Sequence, residues 1–270
     1  MKIIDDKLTF GIKKSVGRLT GLIVFLLLGI MTLTMITLPA SAGEVEKKPM
    51  VNINQENSEK DIQALGIRVK EIEDSKMVGL RQLGDKFDWE FGFSTEDKTV
   101  LIYGEERQVE LNIDKALYND QELDSKPIIT DGRTYISFDL LKKLISDLEN
   151  IELELLATLL PAKTIVEKGE KINTKIELYN ISDKEVRINY QSGKLYDLYL
   201  MYNKTEVWRW SDGKIFTMAL NYKDLQPGEK LQYKEEVPFA EDYESGQYIL
   251  SGEIATKTSI PLPEVEIEVK

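Results

Sequence analysis

From Ile151 onward, apolar residues recur at every second position: Ile151-x-Leu153-x-Leu155, Ile172-x-Thr174-x-Ile176-x-Leu178, Val186-x-Ile188-x-Tyr190, Leu231-x-Tyr233, Tyr248-x-Leu250 and Val265-x-Ile267-x-Val269. A period of two puts alternate side chains on one face of an extended strand, so this stretch reads as strand after strand. Lys168-Gly169-Glu170, Asn180–Asp183, Ser192-Gly193, Asp212-Gly213, Pro227-Gly228 and Ser245-Gly246 break the runs. Turns at such spacing predict an antiparallel β-sandwich over residues 151–270.

Residues 60–150 have a different texture. Ile67-x-Val69-x-x-Ile72 and Trp89-x-Phe91-x-Phe93 are strand-like, and Thr99–Tyr103 with Val109–Ile113 suggest a strand pair. Asn119-Asp120 has the chemistry of a two-residue hairpin turn. Leu80, Leu83 and Phe87 fall at helical spacing, as do Phe138, Leu141, Leu144, Ile145 and Leu148 after a candidate N-cap at Ser137. An offset of 58 residues aligns Val78-x-Leu80-x-x-Leu83 with Ile136-x-Phe138-x-x-Leu141. The segment therefore predicts an α+β module built on two strand–helix repeats.

Two absences narrow the chemistry. The 270 residues include no histidine, which removes Ser-His-Asp and Cys-His nucleophile systems and His-ligated zinc or copper. They include no cysteine, which removes disulfides, thiolate metal sites and a thiol nucleophile. The net charge of −12 argues against nucleic acid as a partner. Gly-x-Gly-x-x-Gly, P-loop and Gly-x-Ser-x-Gly motifs are missing, and no cofactor is expected. Asp120-x-Glu122-x-Asp124 resembles the start of a calcium loop but lacks its glycine, so no metal site is assigned.

Residues 1–42 read as an export signal. Lys2, Lys7, Lys13, Lys14 and Arg18 precede an uncharged apolar run from Leu19 to Leu38, and Ala40-x-Ala42 supplies a small-residue cleavage motif before Gly43. The run is also long enough to span a bilayer if Ala42–Gly43 is left uncut, so a cleaved signal peptide and a retained membrane anchor both stay open. Either places the rest outside the membrane, secreted or at the cell envelope. Residues 43–59 form a polar tether with one candidate strand at Met50–Ile53. Without the leader, Gly43–Lys270 carries a net charge of −15.

Gly132-Arg133-Thr134-Tyr135-Ile136-Ser137-Phe138, Val78-Gly79-Leu80-Arg81 and Asp88-Trp89, with Ala116–Asp120 and Pro127-x-Ile129-x-Asp131, resemble the copper amine oxidase-like N-terminal domain of exported Gram-positive proteins. Family prolines are replaced by Gly79 and Ser137, and an arginine by Asp139. In amine oxidases this domain is a stalk remote from the copper, so the resemblance implies no copper chemistry. Further on, Asn180-x-Ser182-Asp183, Gln191–Asp197, Glu206–Phe216, Leu225-x-Pro227-Gly228-Glu229 and Gly246-Gln247-Tyr248 are similar in order and spacing to the intracellular proteinase inhibitor (BsuPI-type) domain. That resemblance implies an immunoglobulin-like sandwich and a protein partner, a serine protease among the candidates.

Trp208 and Trp210 fall on one strand face and Arg209 on the other. Two readings stay open: indoles that fill the sandwich core, or an aromatic and arginine hot spot beside a turn. Tyr248 is a candidate tyrosine corner. With no residue set suited to catalysis, the chain is expected to be a non-catalytic binding protein. Arg209, Trp210, Ser211, Asp212, Lys214 and Phe216 form its candidate partner-binding loop. The alternative is a cell-envelope interaction module that binds wall polymer or another surface protein and has no inhibitory activity.

Overall fold

A computed structural model of the chain describes residues 63–270. The leader, the Ala42–Gly43 pair, the tether and the strand expected at Met50–Ile53 lie outside the described residues. What is described is mostly β, with several sheets and two short helices. No helix among the described residues is long and apolar enough to cross a membrane.

The first part contains β1 (Ala64–Gly66), β2 (Val69–Ile72), β3 (Ser75–Gly79), α1 (Leu80–Phe87), β4 (Glu90–Ser94), β5 (Thr99–Tyr103), β6 (Gln108–Asn112), β7 (Leu117–Tyr118), β8 (Gln121–Glu122), β9 (Ile128–Thr130), β10 (Arg133–Ser137) and α2 (Phe138–Glu149). The two strand–helix repeats meet directly. β3 and β10 pair antiparallel with Val78 opposite Ile136, the residues equivalent at the 58-residue offset. Met77 faces Ser137 and Gly79 faces Tyr135 on either side, which gives the pair a local two-fold relation.

Local chemistry sets the boundaries. The Ser137 hydroxyl accepts the Leu140 N–H at 3.3 Å and starts α2, and Asn150 at φ 57° ends it. Asn119 and Asp120 both take positive φ, so the acidic run that opens there is a tight hairpin between β7 and β8.

The second part contains β11 (Leu155–Pro161), β12 (Ile165–Val166), β13 (Lys171–Asn180), β14 (Val186–Tyr190), β15 (Tyr196–Tyr202), β16 (Thr205–Arg209), β17 (Asn221–Leu225), β18 (Lys230–Pro238), β19 (Gly246–Ile254), β20 (Ile260–Pro261) and β21 (Val265–Val269). One sheet runs β1-β11-β13-β18, and a second runs β12-β21-β19-β15-β16 with β20 beside β19. β14 and β17 form a separate ribbon. Leu155, Ala157, Leu159, Ile172, Ile176 and Leu178 of the first sheet share a core with Leu198, Leu200, Leu250, Ile254 and Ile267 of the second.

Two details depart from the sequence pattern. The sequence predicts an antiparallel sandwich over residues 151–270, yet within it β12 pairs parallel with β21, and β1, from outside that range, pairs parallel with β11. Both are strands of two or three residues that complete a sheet edge. The alternation at 151–155 also places the strand too early, since β11 is Leu155–Pro161.

The cause is burial on both faces of β11. Leu155, Ala157 and Leu159 enter the core between the sheets, whereas Leu156 joins a second core with Leu83, Ile102, Leu111, Leu141, Leu144 and Ile145. A strand covered on both sides loses its polar alternation. β13 shows the transition within one strand. Its outward residues Asn173 and Lys175 are exposed, but Glu177 and Tyr179 are buried under the first part of the chain.

Candidate functional site

The segment between β16 and β17 begins on an unusual support. Asp197 of β15 is fully buried, although it is an acid on the outward-facing parity of its strand. It accepts hydrogen bonds from the Ser211 hydroxyl at 2.7 Å, the Ser211 N–H at 3.1 Å and the Lys194 ammonium at 3.1 Å. The Arg209 guanidinium lies 3.5 Å away. Buried charge is stable only when paired and hydrogen-bonded, and these partners meet that condition. One consequence is that the chain leaving β16 is tied to β15 at Ser211.

From there the chain turns. Lys214 N–H bonds to the Ser211 carbonyl at 3.0 Å, and Gly213 takes φ +70°. A line of rings fixes the far side of the turn. Tyr233 lies against Tyr196 with centroids 4.9 Å apart, Tyr196 against Trp210 at 4.5 Å, and Trp210 against Phe216 at 5.7 Å. Such tilted aromatic contacts add to area burial. The Lys214 ammonium sits 3.4 Å from the centre of the Trp210 ring. Next, the Thr217 carbonyl accepts the Gly193 N–H at 2.8 Å. A Cβ at Gly193 would stand 2.7 Å from the Thr217 hydroxyl, so glycine is what permits this approach. The chain rejoins regular structure where Asn221 pairs with Tyr190.

Of the six loop residues singled out from sequence, four act as anchors. Arg209 ends β16, stacks over Tyr199 at 4.3 Å and makes two hydrogen bonds to Glu206, at 2.9 and 2.6 Å. These bonds hold the Glu206 carboxyl below its ordinary range. Trp210, Ser211 and Phe216 are half-buried and fasten the turn. Trp208 and Trp210 both pack on the core between the sheets, and the Trp210 indole nitrogen is buried without a hydrogen-bond partner. Asp212 and Lys214 are exposed at the turn itself.

The side chains presented outward are others. Ile215 is 99% exposed, Met218 86%, Leu220 84% and Tyr222 59%. These four, of the nine exposed large apolar residues among the described ones, fall within eight consecutive positions. Their signal in the sequence is the alternation Phe216-x-Met218-x-Leu220-x-Tyr222 after Gly213, a strand-like period in a stretch that forms no strand before Asn221.

Other singled-out features are structural in their surroundings. The Tyr248 hydroxyl donates to the Glu244 carbonyl at 2.9 Å, the tie of a tyrosine corner. No group of three or more carboxylates converges as a metal site among the described residues.

Residues 159–259 match the model of the intracellular proteinase inhibitor family, and residues 53–145 match that of the copper amine oxidase N-terminal domain. The chain thus joins one segment similar to each, the combination its motifs imply. No curated protein matches it. Among solved structures, a sporulation control protein from Bacillus subtilis is 14% identical over 43% of this chain and 49% of its own, with a TM-score of 0.30. A β-glucosidase from Listeria innocua is 16% identical over 43% of this chain and 16% of its own, with a TM-score of 0.28. An alkylpurine DNA glycosylase from Pseudomonas fluorescens is 15% identical over 43% and 30%, also at 0.28. The chain spans less than half the length of each of these proteins.

Proposed function

We propose that this chain is a non-catalytic binding protein whose second part, an immunoglobulin-like sandwich, acts as a proteinase inhibitor on a serine protease outside the membrane. The observation that carries the reading is the 211–220 segment, held at Ser211, Phe216 and Thr217 while its large apolar side chains face solvent. The match of residues 159–259 to the inhibitor family supports it.

An inhibitor gains affinity by presenting a segment whose freedom is already lost, so that little ordering entropy remains to be lost on binding. Small inhibitors commonly achieve this with disulfides. Here the buried Asp197 pairing, the ring ladder and the Gly193 contact would do the same work. Carboxyl groups give no opposing signal. A general acid near neutral pH needs a raised carboxyl, and among the described residues those that shift (Glu71, Asp97, Glu170, Glu177, Glu206, Asp224) all move down. Action outside the membrane rests on the leader pattern of residues 1–42.

The test is to titrate the full chain into a panel of serine proteases, follow residual activity, and read the intact mass of the chain afterwards. Stoichiometric loss of activity with the chain intact is expected. No loss at micromolar excess, together with retention on isolated cell wall, would replace this reading with the envelope-module one.

A further inference from the structure

Backbone hydrogen bonds and ring packing together divide the exposed segment; the main-chain groups of Ile215 and Phe216 are as unpaired as those further on, but the Phe216 ring holds that part of the chain on Trp210. Up to Thr217 the chain is engaged: Lys214 bonds back to Ser211, Phe216 is packed on Trp210, and the Thr217 carbonyl is taken by Gly193. Beyond Leu220 it is engaged again, in the β17–β14 ribbon. Among the described residues, the N–H and C=O groups of Met218, Ala219 and Leu220 have no protein partner. Residues 214–220 lie in no turn, helix or strand, so this is open chain.

A three-residue stretch with free main-chain groups between two fixed points is what an extended-peptide cleft can pair with. Its side chains supply the second half of such recognition. Met218, Leu220 and Tyr222 recur at every second residue, the period at which a cleft reads one side of an extended segment. All three are exposed, and Met218 and Leu220 almost wholly so. Ile215 is more exposed still, but it falls outside this alternation, between Lys214 and Phe216, which both pack on Trp210.

Resting on the inhibitor reading above, we infer that the partner is an endopeptidase with an apolar primary pocket, which Met218 fills while Leu220 packs on the far side of the cleft. Met218 is unbranched and flexible, and it enters a deep pocket without the steric cost of a β-branched chain. Arg209 is held by Glu206, Lys194 by Asp197 and Arg187 by Asp224, and Lys214 lies on the Trp210 ring, so the side chains the open stretch itself offers are apolar. The complex is non-covalent and breaks no bond.

The test uses the full chain and its Met218→Asp, Leu220→Asp and Met218→Lys variants. Inhibition constants are measured against chymotrypsin, subtilisin, trypsin and a glutamate-specific serine protease. Because both positions are exposed, the variants are expected to keep the unfolding midpoint of the unaltered chain. The expected result is inhibition of the apolar-specific enzymes, weakened about tenfold or more by Met218→Asp and Leu220→Asp, with Met218→Lys gaining inhibition of trypsin. Undiminished inhibition by both aspartate variants, or inhibition of trypsin alone by the unaltered chain, would overturn the pocket assignment and leave the inhibitor reading standing. Failure of the unaltered chain against every enzyme would refute the inhibitor reading itself.

Discussion

Cutting the chain at Ile151 is a severe perturbation, and the structure gives its size. The outward residues Leu156, Tyr179 and Ile181, with Leu153 beside them, are buried to 8% exposure or less against the first part of the chain. Fully burying a large apolar side chain is worth about 1.5–3 kcal/mol, so uncovering four costs on the order of 6–12 kcal/mol as an upper estimate. The fragment also loses β1, and with it the bonds from Leu155 N–H to the Gln63 carbonyl (3.1 Å) and from Ile67 N–H to the Ala157 carbonyl (2.9 Å). That leaves β11 as a bare apolar edge prone to self-association. Against a usual total of about 5–15 kcal/mol, most of the stability disappears.

The assay is urea unfolding followed by tryptophan fluorescence and far-ultraviolet dichroism, on the whole chain and on residues 151–270. The whole chain should unfold in one transition, and the fragment should be largely unfolded or aggregated without denaturant. In the whole chain, Leu156→Ala should cost about 2–5 kcal/mol. A fragment that unfolds cooperatively within about 2 kcal/mol of the whole chain would refute the shared-core reasoning.

Two further outcomes follow from buried charge. Asp197→Ala leaves Lys194, Arg209 and Ser211 without their common acceptor, and should cost about 3–5 kcal/mol in urea unfolding while exposing the Lys214 bond to trypsin. Burial pushes the Glu177 carboxyl up, but its hydrogen bonds from Lys230 and Tyr179 outweigh this and hold it below its ordinary range. A lowered folded-state value stabilises above the unfolded value near 4.5 and is lost as pH falls through the folded one. Glu177→Gln should therefore lose about 1–3 kcal/mol at pH 7 and show a flatter stability profile below about pH 5.

What the sequence reveals, and what it hides, depends on how many partners an element has. The Val78/Ile136 repeat and the alternation of β14, β19 and β21 are legible because each has one buried face or a local cap. β11 is misplaced because Leu156 and Leu155 serve two different cores, a fact of tertiary contact that periodicity cannot carry. Trp208 and Trp210 fall on the core side, as one of the two readings of their spacing holds. In the candidate site, Ser211 and Phe216 are locatable by turn and aromatic signals, but those signals mark the anchors. Phe216, Met218, Leu220 and Tyr222 alternate as a strand would, but Met218 and Leu220 are almost wholly exposed, so the period there marks no core face.

The most direct measurement is amide hydrogen exchange of the full chain, free and mixed with a subtilisin-type protease whose nucleophilic serine is replaced by alanine. The account predicts new protection confined to residues 214–222, with Met218, Ala219 and Leu220 slowed most. Binding that protects the β4–β8 sheet or α2 and leaves 214–222 exchanging as before would contradict it.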